Sequence, residues 1–330
     1  MPLTELLSQV RDASGLLQKQ EIQRVQRHLK QAYPNPFPNG DDAAVIPHGD
    51  HFDLLAGEGF MDQFVAADPW FAGWCGIMVN VSDIAAMGGT PVAVVNALWG
   101  GDDEVTDAIL QGMSKASRVF QVPIVGGHTN LRSQQPHLSV SILGRCRRVL
   151  SSFAAQAGQS LIAVVDLRGE FRAPFLNWNA ATEAPPQRLR GDLALFSAIA
   201  ESQLASAAKD ISQAGILGTC VMLMESAGVG MDIELEAIPK PAGVAWQDWL
   251  CAFPSFGYLL TAEQKNCETL LQMFHHRDIH GAVIGSLNTS GRCCVSAGND
   301  QGLFWDLTAT ALTGLTANSD VSDKGASRYA

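Results

Sequence analysis

Five carboxylates in this sequence stand beside glycines or at the ends of short apolar runs, where side chains are accessible to ligands. They are Asp41, Asp42, Glu58, Asp83 and Asp210. Magnesium prefers oxygen ligands and is commonly held by a few carboxylates together with substrate phosphates, while nearby glycines let phosphates approach backbone N–H groups. The distribution therefore predicts a metal and nucleotide site. Acidic residues next to glycine are also ordinary turn formers, so spacing alone leaves both interpretations open.

Two short apolar runs predict the strands that lead into this region. The run Ala43–Ile46, in GDDAAVIP, predicts a buried strand, so that Asp41 and Asp42 lie on the turn that enters it. A second strand is predicted at Phe52–Ala56. The stretch that follows, GEGFMDQFVAADP, is predicted as a loop and carries Glu58 near its start.

The stretch NVSDIAAMGGTP predicts the end of an apolar helix. Asp83 is its one charged residue, and Asn80 lies one turn earlier on the same helical face. Gly88 and Gly89 are expected to end the helix. A buried carboxylate needs a cation or a metal, and no cation neighbours Asp83 in the sequence, which favours a metal ligand. The alternative is that Asp83 caps a backbone turn.

Lysines and glycines farther along the chain are candidate phosphate contacts. A helix is predicted at Thr106–Phe120, followed by VPIVGGHTN, a strand expected to break at Gly126 and Gly127. Lys115, on this helix, and Lys209 are the cations that we expect near phosphates, although exposed lysine is the common case.

The length of 330 residues favours two domains, and periodicity is lost between Leu150 and Ala157. We expect residues 1–153 to form the first domain, residues 154–316 the second, and residues 317–330 a flexible tail. Within the second domain, the proline-bearing stretch RGEFRAPFLNWNAATEAPPQRLRG is expected to form an irregular surface segment or a lid.

Composition excludes several classes of protein. The chain is 47% apolar and 17% charged, which is typical of an ordered globular protein. Its net charge of −11 would repel a phosphate backbone, so we expect no nucleic-acid partner. No apolar run approaches the ~20 residues that span a membrane. The seven cysteines form no Cys-x-x-Cys pair, which favours reduced thiols and a cytoplasmic location.

Five motifs occur in an order that identifies a family resemblance. They are GDDAAVI, NVSDIAAMGGTP, VGGHTN, KDISQAG and ESAGVGMDIEL. From about Asn39 to Asp306, the chain resembles the aminoimidazole-ribonucleotide-synthetase (AIR synthetase) superfamily, also called PurM-like. Members of this superfamily include thiamine-monophosphate kinase, selenophosphate synthetase and the hydrogenase-maturation dehydratase.

This resemblance implies an α+β fold of two domains, each a mixed β-sheet packed with helices, in a homodimer. It also implies that ATP and Mg²⁺ bind at the acidic loops of the first domain near the subunit interface, and that ATP activates an oxygen atom of a small-molecule substrate. The candidate metal ligands are Asp41, Asp42, Glu58, Asp83, His128 and Asp210. The candidate nucleotide contacts are Asn80, Lys115, Gly126, Gly127 and Lys209.

Three positions depart from the family's pattern. Glu58, in AGEG, stands where relatives have an aspartate, and His128, in GGHT, replaces an acidic residue with a ligand less suited to Mg²⁺. Gln213, in DISQAG, replaces the second aspartate of the kinase pattern. The sequence therefore predicts an AIR synthase-related, ATP- and Mg²⁺-dependent kinase or synthetase. The alternatives are a thiamine-monophosphate-kinase-like enzyme and a catalytically reduced dimer that binds ATP or a metabolite.

Overall fold

A computed structural model describes residues 1–29 and 37–316 of the chain, which form two compact units. The first unit consists of residues 42–149 and 184–201. The second unit consists of the described residues of 1–41, 150–183 and 202–316. The predicted tail at 317–330 lies outside the described residues. No helix in the described part of the chain is long and apolar enough to cross a membrane.

Helices and strands alternate along most of the chain. The helices are α1 (Leu3–Arg11), α2 (Ser14–Leu17), α3 (Ile22–Leu29), α4 (Asp62–Ala67), α5 (Pro69–Ala86), α6 (Asp103–Phe120), α7 (Pro186–Glu201), α8 (Gly215–Ala227), α9 (Trp246–Leu250) and α10 (Gln264–His275). Short 3₁₀ turns are formed by Gln18–Glu21, Ser152–Ala154 and Leu235–Ala237. The strands are β1 (Ala44–His48), β2 (His51–Gly59), β3 (Thr90–Trp99), β4 (Ile124–Asn130), β5 (His137–Cys146), β6 (Ser160–Val165), β7 (Glu170–Arg172), β8 (Asn177–Asn179), β9 (Ala207–Asp210), β10 (Gly230–Glu234), β11 (Phe253–Pro254), β12 (Gly257–Ala262), β13 (His280–Asn288), β14 (Arg292–Ala297) and β15 (Asp300–Asp306).

The first unit is built on a five-stranded mixed sheet with the strand order β1-β2-β5-β3-β4. β3 and β4 pair in parallel, and the other neighbours are antiparallel. Helix α5 packs on one face of this sheet, and α6 packs on α5. The predicted mixed sheet packed with helices is therefore confirmed for this unit.

Helix α5 is buried along nearly its whole length because its residues are apolar on every side. The side chain of Asp68 caps its first turn by accepting a hydrogen bond from the Phe71 N–H (3.2 Å), and Pro69 occupies the first helical position. The helix ends before Gly88, whose φ of +77° favours glycine. The predicted stop at this glycine pair is confirmed.

The opposite face of the five-stranded sheet carries exposed apolar side chains in the described chain, together with polar ones. Strand alternation sends Leu54 and Ala56 toward the helices and Leu55 outward. The exposed apolar side chains of this sheet include Ile46, Leu55, Val92, Val95 and Val125. We call this surface the outer face of the sheet.

The second unit contains a seven-stranded mixed sheet with the strand order β15-β14-β10-β13-β6-β12-β9. Helix α1 packs on β15, where a Cβ at Gly302 would lie 2.7 Å from Leu7 Cδ1. The N-terminal helices therefore pack with the second half of the chain, whereas the sequence groups them with the first half. Helix α7 lies in the second half of the sequence but belongs to the first unit, where it packs with α5 and α6.

Three local predictions are wrong because pairing between distant strands overrides local sequence. The predicted loop after Ala56 continues β2 as far as Gly59, since these residues pair with β5, and then forms α4. The strand predicted to break at Gly126 runs on through both glycines because they pair with β3. The predicted irregular stretch contains β7 and β8, which join β11 in a small sheet.

Candidate functional site

The polar side chains of α5 are confined to one turn of an otherwise apolar helix, and they are Asn80, Ser82 and Asp83. Asn80 is fully buried, and Asp83 is 5% exposed. The Asn80 amide donates through Nδ2 to the Gly76 carbonyl (2.8 Å), but its Oδ1 accepts no hydrogen bond from any described residue. A buried amide oxygen left in this way costs about 1–3 kcal/mol, so the turn is suited to a ligand that supplies a donor or a cation.

Glu58 lies on the helix-facing side of the first unit's sheet. The register places Glu58, Val140, Asn96 and Gly127 in one row across β2, β5, β3 and β4. Residues that lie directly opposite each other point to the same face, and Val140 is fully buried there. Glu58 therefore extends toward the side of the sheet that packs against α5.

His128 extends from the other face of the same sheet. It is aligned with Ala97, Ser139 and Gly59, the row next to that of Glu58, and its ring centroid lies 6.4 Å from that of Trp99. Glu58 is on β2 and His128 is on β4, and three strand spacings of about 4.8 Å separate these strands by roughly 14 Å. Glu58 and His128 of one chain therefore extend from opposite faces of the sheet, and their roles as metal ligands remain predictions.

The two glycines of VGGHTN have different surroundings. A Cβ at Gly127 would lie 2.3 Å from the Asn96 carbonyl oxygen and 2.6 Å from Asn96 Oδ1, so packing inside the sheet explains this glycine. Around a Cβ at Gly126, no described heavy atom apart from its chain neighbours would lie within 4 Å. Its φ is not positive either. Gly126 is therefore free to provide space for a ligand or a partner.

Asp41 is held by hydrogen bonds within the second unit. Its Oδ2 accepts from the Ser151 hydroxyl (2.5 Å), and its Oδ1 accepts from the Ser152 N–H (2.7 Å). Both carboxylate oxygens thus fix the 3₁₀ turn before β6, which is a structural role that the sequence did not predict. Asp42 is half-buried in the first unit, just before β1.

Lys209 and Asp210 end β9, at the edge of the seven-stranded sheet. They are 5% and 8% exposed, and they pair with Leu259 and Tyr258 of β12. Successive side chains of a strand point to opposite faces, so these two residues serve opposite sides of the sheet. They are buried rather than solvated, unlike most lysines and aspartates.

Lys115 lies on the solvent-exposed side of α6. It lines an open cavity of about 600 Å³ together with Trp70, Asp107 and Arg118. The residues of α6 that pack on α5, such as Ile109 and Met113, occupy its other side.

All seven cysteines are free thiols in the structure. Burial raises the pKa of Cys146 to about 12, and burial also raises the pKa of Cys220. These side chains therefore stay protonated thiols near neutral pH and are poor nucleophiles.

One group of potential metal ligands was missed by the sequence analysis. Among the described residues, His48, His51 and Asp53 are the three side chains whose ligand atoms all lie within 4.8 Å of one another. No three of the predicted metal ligands meet this criterion in the described chain. A hydrogen bond from His48, followed by one from Arg145, lowers the pKa of Asp53 and keeps it ionised. The spacing H-x-x-H-x-D across a hairpin was the available signal.

Comparison with protein families identifies the class of this chain. Residues 40–146 match the family described as AIR synthase related protein, N-terminal domain, and residues 163–296 match AIR synthase related protein, C-terminal domain. The chain therefore belongs to the AIR synthase-related family, and the resemblance seen in its motifs is confirmed.

Two relatives match along nearly their whole length. An uncharacterized protein of Synechocystis sp. is 41% identical over 96% of this chain and 100% of its own. An uncharacterized protein of Methanocaldococcus jannaschii is 32% identical over 93% of this chain and 97% of its own. The phosphoribosylformylglycinamidine synthase subunit PurL of Methanosarcina mazei is 26% identical over 75% of this chain, which spans only 38% of PurL.

Solved structures share the fold at low sequence identity. T. maritima PurL complexed with FGAR superimposes with a TM-score of 0.77 at 16% identity, over 97% of this chain and 55% of PurL. AaThiL complexed with AMPPCP and TMP gives a TM-score of 0.63 at 21% identity, over 85% of this chain and 93% of ThiL. T. maritima PurL has also been solved with ATP. The two-domain fold is thus shared with ATP-binding proteins.

Proposed function

We propose that this chain binds ATP with Mg²⁺ and uses it to phosphorylate or activate an oxygen atom of a small molecule, as a homodimer. The observation that carries the proposal is the turn of α5 that holds Asn80 and Asp83. In this turn, the Asn80 amide oxygen is buried and accepts no hydrogen bond from any described residue. The same turn buries the Asp83 carboxylate, and the rest of the helix is apolar. Such groups are retained where a ligand uses them.

We assign the following roles to individual residues. Asp83 is the metal ligand and Asn80 positions the metal-bound phosphates, whereas Gly126, which pairs with Val95 on the outer face, leaves space there. Asp42 and Glu58 are further oxygen ligands in the first unit. When bound, Mg²⁺ would neutralise charge on the transferred phosphoryl group.

The outer face of the sheet supports the homodimer. Leu55 is 47% exposed, Val95 is 44% exposed and Val125 is 63% exposed, and all three lie on the same five-stranded sheet. Groups of exposed apolar side chains on one face often mark interfaces. A second copy of the chain is the occupant that we propose, with the same face packing against itself.

Calorimetry with Mg-ATP is the primary test of this function. We expect saturable binding that requires Mg²⁺, with ADP formed when the correct small molecule is added. A ligand at 100 times its Kd adds about 2.7 kcal/mol to the unfolding free energy, so a thermal-shift screen with Mg-ATP can identify that molecule. Thiamine monophosphate belongs in the screen because ThiL shares the fold. Absence of Mg-ATP binding would overturn the proposal.

The alternative is a dimer that binds ATP or a metabolite without turnover. Two observations favour it: His128 replaces an acidic residue and lies on the outer side of the sheet, and Gln213 is exposed. Tight Mg-ATP binding with no ADP formation across the whole panel would support this alternative over the enzyme.

A further inference from the structure

A hairpin of the first unit gathers two histidines and an aspartate at one end of the outer face. β1 and β2 are joined by Gly49 and Asp50, and Gly49 has a φ of +62°. The register pairs His48 with His51 directly across the turn. Asp53 lies two residues beyond His51 on the same strand and therefore points to the same face.

One ring nitrogen of His51 is hydrogen-bonded to a carboxylate, and the other has no hydrogen bond from any described residue. Its Nδ1 lies 3.1 Å from Asp50 Oδ1, and a carboxylate can only accept, so Nδ1 carries the proton. The Nε2 lone pair then faces Asp53 Oδ1 at 3.6 Å, and Nε2 is buried without a hydrogen bond from any described residue. A lone pair aimed at a carboxylate oxygen is unfavourable, and either a proton on Nε2 or a metal ion between the two atoms removes the repulsion.

The third ligand is already in contact with Asp53. His48 Nδ1 donates to Asp53 Oδ2 at 2.9 Å, and its ring stacks on that of His51 with centroids 4.8 Å apart. The His48 side chain is 63% exposed, so its proton can move to Nε2 through solvent and free Nδ1 for a metal. Ligands about 2.1 Å from a tetrahedral metal lie about 3.4 Å from each other. The histidine nitrogens lie 2.9 and 3.6 Å from the two different oxygens of Asp53, and all three ligand atoms lie within 4.8 Å of one another, which is near that separation.

We propose that His48, His51 and Asp53 bind a divalent transition-metal ion such as Zn²⁺, with Asp50 as the outer carboxylate that fixes His51. Two imidazoles and one carboxylate are the ligand set of zinc and its neighbours in the periodic table, and Mg²⁺ prefers oxygen ligands. Histidine ligands are commonly oriented by such an outer carboxylate. All three ligands come from one hairpin, so each chain carries a complete site whatever its oligomeric state.

Arg145 limits the affinity of this site. Its Nε donates to Asp53 Oδ1 at 2.9 Å and places a positive charge beside the metal position. The guanidinium also holds the Asp53 carboxylate in place. We therefore expect a site that binds Zn²⁺ reversibly and that leaves the fold intact when the metal is removed.

The test is titration of the EDTA-treated, tag-free full chain with zinc chloride in excess Mg²⁺ and without nucleotide. We expect one Zn²⁺ per chain. The double variant His48→Gln/His51→Gln should bind at least about 100-fold more weakly, and Asp50→Asn about 10–100-fold more weakly. The control His275→Gln/His276→Gln removes two exposed histidines from the end of α10 and should bind like the wild type.

Folding and coordination are checked separately. The single variant His48→Gln changes a mostly exposed side chain, so it keeps the fold and should still weaken binding. Co²⁺ bound at the same site should give visible absorption bands that the double variant lacks. A wild-type chain that takes up no stoichiometric Zn²⁺ would overturn the proposal, as would a double variant that binds as tightly as the wild type.

Discussion

Replacing each glycine of VGGHTN by alanine separates a role in folding from a role in binding. At Gly126 the new methyl group meets no described atom beyond its chain neighbours, and the backbone is extended. Alanine there restricts the unfolded chain more than glycine does, which should raise the unfolding free energy by about 0.4–1 kcal/mol. At about 2–4 °C per kcal/mol, the melting temperature should rise by roughly 1–4 °C.

Gly127→Ala should have the opposite effect on stability. Its Cβ would lie 2.3 Å from a backbone oxygen of Asn96, which cannot move without disturbing the pairing of β3 and β4. Overpacking of this kind costs about 1–3 kcal/mol. Gly59→Ala is the matched control for the gain at Gly126, because Gly59 also lies in a strand with open space around its Cβ.

Binding is the second measurement on these variants. Gly126 pairs with Val95 on the outer face. If phosphates bind at that face, Gly126→Ala should weaken Mg-ATP at least about tenfold, or 1.4 kcal/mol, while the protein becomes more stable. Calorimetry measures the affinity, and light scattering checks that the oligomeric state is unchanged. An unchanged affinity would refute the assignment of Gly126 to the nucleotide site. A lower melting temperature would refute the open space inferred from the structure.

Two further predictions test the proposed function. Asp83→Asn keeps the side-chain shape but removes the buried charge, so the Mg-ATP affinity measured by calorimetry should fall at least about tenfold. The control Asp62→Asn, on the exposed surface of α4, should leave the affinity unchanged. Leu55→Glu places a charge in the outer face and should convert the dimer into a monomer, for which light scattering would give 35.2 kDa. The control Leu110→Glu, on α6 at a position 44% exposed, should leave the protein dimeric. A wild-type monomer would contradict the homodimer.

Local sequence signals were sufficient to predict the central helix and the family. α5 has a cap, a proline at its first position, an apolar body and a terminal glycine, all within one short stretch of chain. Its buried polar turn could be predicted too, because Asn80 and Asp83 differ so clearly from their neighbours.

The grouping of the metal ligands could not be predicted, because it depends on strand register. Glu58 is aligned with Val140, about 80 residues away in the chain, and a shift of one residue would reverse the face from which it extends. The same register sets His128 on the other face. Sequence alone also treats Gly126 and Gly127 alike, whereas their surroundings depend on Asn96 of a neighbouring strand.

The last prediction concerns Glu225, a buried carboxylate of α8 that ties the end of the described chain to the second unit. It is 3% exposed, and its Oε1 accepts from the N–H groups of Leu312 (2.9 Å) and Gly314 (3.1 Å). Its Oε2 accepts from both the N–H (2.7 Å) and the hydroxyl (2.5 Å) of Thr313. These four donors compensate the charge in place of a cation.

Glu225→Gln retains the shape of the side chain but turns one acceptor into a donor. If the amide NH₂ replaces Oε2, the Thr313 hydroxyl can turn to accept, and the Thr313 N–H is left unsatisfied. If the NH₂ group replaces Oε1, the N–H groups of Leu312 and Gly314 are both left without an acceptor. The first arrangement is therefore favoured. One buried unsatisfied donor costs about 1–3 kcal/mol of unfolding free energy. Glu201→Gln, at an exposed position of α7, is the control and should change stability little.

Hydrogen exchange distinguishes this local tether from a general loss of stability. The family match ends at residue 296, so residues 312–314 lie beyond it, whereas Glu225 lies within it. If Glu225 anchors that later segment, the amides of residues 312–314 should lose protection in Glu225→Gln, while those of β6 and β12 in the buried sheet keep theirs. An unchanged melting temperature together with unchanged exchange would mean that the four hydrogen bonds do not hold the segment in solution.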